Sequence, residues 1–140
     1  MDKILLERSL ALVDLPDDGL TVRFYEVLFE RYPEVQPMFS RGVRPQAAML
    51  RTAIIAVVDH LEDSAWLSST LGTLGRRHAE LGVTEPMYGA VAECMIATMS
   101  EVGDPHWTAE MTAAWSEVLS AVASLMVAAY PDEADASGAA

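Results

Sequence analysis

The chain has 140 residues, enough for one domain, and its 51% hydrophobic and 21% charged residues are a globular rather than a disordered composition. Nine basic residues against 21 acidic ones give a formal net charge of −12, which repels phosphate backbones and anionic lipid, so neither nucleic acid nor a membrane surface is an expected partner. No apolar run approaches the ~20 residues of a membrane span, Met1–Lys3 lacks a signal-peptide layout, and the single Cys94 has no partner for an internal disulfide, so a cytoplasmic location is expected.

In chain order, nearly every segment has helical rather than alternating periodicity. Residues about 2–14 form a first helix with Ile4, Leu5, Ser9, Leu12 and Val13 near one side. The break at Leu15-Pro16-Asp17-Asp18-Gly19 supplies turn chemistry before a second helix over about 17–32. In it Leu20, Phe24, Val27, Leu28 and Arg31 recur at threes and fours, with Tyr25 mid-helix. Pro33 and Pro37 frame a short helical corner ending at Phe39, and the loop SRGVRP follows.

A long helix from about Pro45 to Leu61 directs Ala47, Leu50, Ile54, Val57, Val58 and Leu61 inward, and Gln46, one turn before Leu50, shares its side. The next helix carries Leu67, Leu71, Leu74 and His78 on one stripe, with Gly82 and Pro86 bracketing its end and the following start. Two long helices, about 86–102 and 107–130, close the fold, with Thr84-Glu85-Pro86 and Asp104-Pro105 as start signals. The expectation is an all-α domain of six or seven helices over 1–131, with an acidic, small-residue-rich, disordered tail over 132–140. Phosphate loops, zinc knuckles, nucleophilic triads and paired inner carboxylates are absent from the sequence.

His78 is the residue with most chemical potential. A neutral imidazole aimed into apolar space can ligate a metal through one nitrogen, while the other donates to the carbonyl of Leu74 one turn earlier. By itself, a histidine on an apolar stripe serves more often as a hydrogen-bonded core residue. His60, between Asp59 and Glu62 at a helix end, and His106, beside Trp107, read as surface residues, and the methionines, Met38, Met49, Met87 and Met95 among them, as core filler. If the two middle helices face each other across a gap, His78 approaches from one side and Gln46, Leu50 and Tyr25 cover the other, with Phe39 closing a corner. Such a layout suits a five-coordinate haem: one imidazole below the iron, a lipophilic slot, and neutral donors above the open position.

The same stretches resemble the single-domain bacterial globins of the flavohaemoglobin class over about residues 2–130. FYEVLFERYPEVQPMF (24–39) is similar to the tyrosine-bearing helix and corner of that family, QAAML (46–50) to its distal glutamine and leucine, LGRRHAELGVTEPMY (74–88) to its proximal segment, and AAW (113–115) to the start of its last-helix motif. The resemblance implies a globin fold holding haem b (iron protoporphyrin IX). His78 would be the iron ligand, Phe39, Gln46, Leu50, Leu74 and Tyr88 would line the cofactor, and Tyr25 with Gln46 would donate to a bound gas.

It implies reversible binding of dioxygen, CO and NO for oxygen binding or transport, by a monomer or homodimer. Alternatives are turnover of nitric oxide to nitrate with an external reductase, or haem chemistry on a small organic substrate. Flavohaemoglobins continue into a reductase domain carrying FAD and binding NAD(P)H; this sequence stops at Ala140, so a separate flavin reductase is the expected electron source. The family also places a glutamate late in its final helix, in a network with the histidine and the following tyrosine. Here that neighbourhood reads LMVAAYPDE, with Tyr130-Pro131 expected to break the helix before Asp132 and Glu133. An imidazole without a carboxylate partner donates less electron density, which disfavours peroxidase-like O–O cleavage.

Overall fold

A computed structural model describes residues 1–39 and 41–131; the tail expected over 132–140, and Ser40 of the expected loop, lie outside them. Helix α1 (Lys3–Val13) starts where the Asp2 carboxylate accepts the Leu5 N–H at 3.0 Å. Its buried stripe is Leu6, Ser9 and Val13, whereas Ile4, expected on the inner side, is 65% exposed. The long-range partner decides which face is covered. Trp115 donates from Nε1 to Ser9 Oγ at 2.7 Å, and the Ser9 hydroxyl in turn donates to the Leu5 carbonyl at 2.8 Å.

A 3₁₀ turn over Pro16–Asp18 leads into α2 (Gly19–Arg31), which buries Leu20, Thr21, Phe24, Tyr25, Val27 and Leu28 and leaves Arg31, in phase with them along the helix, exposed. The buried Thr21 hydroxyl donates to the Ala47 carbonyl at 2.8 Å and so fastens α2 to the next long helix. The expected corner is a 3₁₀ helix over Pro33–Phe39. Helix α3 (Arg44–Asp59) then precedes α4 (Ser64–Glu80), which Asp63 caps by accepting the Trp66 N–H at 3.0 Å. After α4, Gly82 takes φ +86°, a left-handed conformation that a side chain would strain.

Helix α5 (Glu85–Gly103) follows, then α6 (Ala109–Val127). Asp104-Pro105 does not start α6: Asp104 closes α5, its N–H bonding the Ser100 carbonyl, and Thr108 Oγ1 caps α6 by accepting the Met111 N–H at 3.2 Å. Nor does α6 reach residue 130. Tyr130 lies in the turn after it, its N–H bonding the Val127 carbonyl at 3.0 Å.

The packing is α4 on α6, α2 on α5, α5 on α6, and α1 across α5 and α6. Leu6, Phe24, Met95, Met99, Trp115 and Val118 fill the shared core. The α4–α6 crossing is close because Gly75 has no side chain: a Cβ there would land on the Met126 main chain, 2.7 Å from its Cα. Two expectations fail at the surface. Met38 and Met49 are 42% and 64% exposed, so neither fills the core. His60 is half-buried, stacked face to face on Trp66 with centroids 3.7 Å apart, its Nδ1–H donating to the Ala56 carbonyl at 2.8 Å. No helix among the described residues is long and apolar enough to cross a membrane.

Candidate haem site

Helices α3 and α4 follow each other in the chain but are not among the well-packed pairs. Helix α3 rests on α2, α1 and the Pro16–Asp18 turn, and α4 rests on α6. Leu50, Ile54, Val57 and Leu61 on and just after α3, and Leu67, Leu74 and His78 on α4, are accordingly only half-buried. Apolar side chains left part-covered on two neighbouring helices are what a flat apolar guest would cover.

His78 lies one turn beyond Leu74, and its Nδ1 is 2.9 Å from the Leu74 carbonyl. A carbonyl only accepts, so Nδ1 carries the proton and the Nε2 lone pair is left for a ligand bond. Among the described residues no three His, Cys, Asp or Glu side chains gather as a metal site. A metal taken by the single donor of His78 would therefore have to bring most of its ligands with it, as a porphyrin iron does. The residues present fit haem on these grounds.

Tyr88, in the first turn of α5, tilts its ring by 30° against the His78 imidazole at a centroid distance of 6.3 Å. Its hydroxyl meets that of Tyr130 at 2.8 Å, and Tyr130 donates to the Val83 carbonyl at 2.9 Å. Burial and the Tyr130 bond push the Tyr88 phenol well above the usual tyrosine range, so it stays protonated. Tyr130 had no role in the reading of the sequence beyond ending a helix. The structure places it on Tyr88, and a tyrosine just ahead of Pro131 was the one available signal.

On α2, Tyr25 is 6% exposed and packs against Phe39 (5.2 Å), Phe24 (5.0 Å) and Phe29 (6.0 Å). Phe29, one turn beyond Tyr25, also touches Phe39 at 5.6 Å and so completes an aromatic corner that helical spacing alone would have suggested. Burial pushes the Tyr25 phenol up to about 12; its hydroxyl makes no hydrogen bond among the described residues, and no buried side-chain polar atom there is left without a partner, so the oxygen itself reaches the surface. Gln46, in the first turn of α3, is exposed, while Leu50 one turn later is half-buried against the core. The expected residues thus fall into three groups: Tyr25 with Phe39, Gln46 with Leu50 along α3, and Leu74, His78 and Tyr88.

Comparison with known proteins bears on the family and the fold. A globin-like protein of Aquifex aeolicus is 30% identical over 108 residues, which cover 77% of this chain and 76% of that protein. The flavohemoprotein of Pseudomonas putida is 23% identical over 146 residues, covering 97% of this chain but 37% of the relative, so the chain spans little more than a third of that protein. Among solved structures, an engineered carbene transferase made from a candidate nitric oxide dioxygenase of Rhodothermus marinus superimposes with a TM-score of 0.78 at 25% identity, covering 90% of this chain and 88% of that one. The globin profile matches residues 22–126, and the chain belongs to the globin family, whose members bind haem and, through it, small gases.

Proposed function

We propose that the protein holds haem b through His78 and reversibly binds dioxygen, and likewise CO and NO, for oxygen binding or transport. The observation that carries this reading is the half-buried His78 imidazole, tautomer set by Leu74, on a helix α4 that makes few contacts with α3 and, like α3, keeps apolar side chains only part-covered. Bound there, a haem supplies an iron with one open position for a diatomic gas. Leu50, Leu74 and Phe39 would pack on the macrocycle and keep water out, and Tyr88 would lie behind the imidazole. Tyr25 would offer its proton to the gas; as a neutral phenol held well above neutral pH, it donates a hydrogen bond without giving the proton up. Gln46, more open to water, would add a second, adjustable donor.

A second reading is turnover of nitric oxide with electrons from a separate flavin reductase. It is favoured by the similarity to a flavohemoprotein and to a candidate nitric oxide dioxygenase. Absorption spectra of the purified protein, ferric, reduced and then exposed to air, test both. A Soret band, a five-coordinate ferrous form and a lasting oxygenated spectrum support the binding reading, and rapid bleaching to ferric on adding NO, sustained by a flavin reductase, supports the second. Absence of a Soret band after adding haemin, or a His78→Ala variant with an unchanged spectrum, would overturn the site.

A further inference from the structure

We propose that Tyr130 is a positioning residue for His78, acting through Tyr88 and Val83; the inference rests on the haem reading of His78 above. Four contacts close a ring. The Val83 N–H donates to the His78 carbonyl at 3.0 Å, and the Val83 carbonyl accepts from the Tyr130 hydroxyl at 2.9 Å. The Tyr130 and Tyr88 hydroxyls are 2.8 Å apart, and the Tyr88 ring returns to the His78 imidazole at 6.3 Å. A phenol has one proton, and that of Tyr130 goes to Val83, so the proton between the two tyrosines belongs to Tyr88. The Tyr88 hydroxyl is therefore committed to Tyr130 and gives nothing to the imidazole directly.

Packing alone does not hold Tyr88. Tyr88 also borders an open groove of about 400 Å³ between α5 and α6, lined by Ala92, Glu93, Ile96, Ser116 and Leu119 among others, so on that side no packed neighbour confines it. The hydroxyl bond to Tyr130 closes off that freedom, and the same Tyr130 oxygen pins the α4–α5 connection five residues after His78. Every member of the ring is neutral: two phenols, two carbonyls, one amide and an imidazole whose Nδ1–H goes to another carbonyl. Tyr130 thus orients the imidazole without increasing its basicity, which a carboxylate in its place would do.

The test uses the haem-loaded protein and two single variants, Tyr130→Phe and Tyr88→Phe, with two readouts besides gas binding. These are the iron–histidine stretching band of the ferrous form by resonance Raman and amide hydrogen exchange at Val83. Tyr130→Phe keeps the ring and removes the oxygen. The expected result is a shifted and broadened iron–histidine band with faster exchange at Val83 in Tyr130→Phe, a shifted band in Tyr88→Phe, and a double variant shifted by less than the sum of the two single variants, since each cut opens the same ring. A Soret-bearing Tyr130→Phe protein with an unchanged band overturns this inference and leaves the haem reading standing. A wild-type chain that takes up no haem overturns the haem reading, and this inference with it. If Tyr130→Phe does not fold, the band of Tyr88→Phe decides: unchanged, it overturns the inference.

Discussion

Tyr25 and Tyr88 are both phenols kept protonated by burial, yet the two protons have different destinations. That of Tyr88 is used inside the protein, on Tyr130, whereas the Tyr25 hydroxyl, with no hydrogen bond among the described residues and not itself shut off from the surface, is the donor on α2 available to a guest. Removing it should be felt by the guest. We expect Tyr25→Phe to speed dioxygen release about tenfold, the loss of one neutral hydrogen bond of ~1.4 kcal/mol, measured by stopped-flow displacement with CO. Gln46→Ala should change the rate less, because water reaches that exposed position and replaces the amide. Tyr25 also makes stability depend on alkaline pH. Its folded value of about 12 stands above the ordinary 10.0, so the folded chain keeps a proton that the unfolded chain loses. That contribution is complete below pH ~10 and is lost as pH rises toward 12, by on the order of 2–3 kcal/mol. Urea melts at pH 8 and pH 11 should show a smaller alkaline loss for Tyr25→Phe than for the unaltered protein.

Helix α4 is placed by what it lacks. Gly75 lets its backbone approach the main chain of Met126, and His78 lies one turn further along the same helix. Alanine at position 75 would raise helix propensity by ~1 kcal/mol, but its Cβ would meet backbone, which cannot rotate aside as a side chain can. Overpacking of this kind costs ~1–3 kcal/mol, so the clash wins. Gly75→Ala should lower the urea midpoint and loosen haem retention together, read as faster haem transfer to apomyoglobin. The α1–α6 clasp has the opposite character, a polar pair in the core. Trp115→Phe strips Ser9 of its donor, and because Ser9 still bonds its own helix the expected loss is modest, about 1 kcal/mol in a thermal melt.

At the scale of the whole molecule, α3 and α4 follow each other in the chain, make few contacts and keep half-buried apolar side chains, which a guest between them would cover. A ligand that binds only the folded chain stabilises it by mass action, ~2.7 kcal/mol at a hundredfold excess over its dissociation constant. Haemin should therefore raise the melting temperature, and it should slow hydrogen exchange in α3, whose inner side chains are half-covered, more than in α1. Unequal protection between those helices would locate the guest beside α3, and equal protection would not.

Much of this was open to the sequence because it is local. Helix periodicity, the Thr84 start, the Pro33–Phe39 corner and the bond from His78 to Leu74 all lie within a turn or two of chain, where 3.6-residue geometry decides who meets whom. The family resemblance was open for the same reason, being carried by short motifs, and the globin profile over 22–126 agrees with it. What needed the tertiary structure is non-local. Which stripe of α1 is covered depends on Trp115, 106 residues from Ser9; the closeness of α4 and α6 depends on Gly75 meeting Met126; and the partner of Tyr88 is 42 residues away. Gln46 and Leu50 share a face by spacing, yet one is exposed and the other half-buried, because exposure is set by what packs opposite a residue and not by its place along the helix.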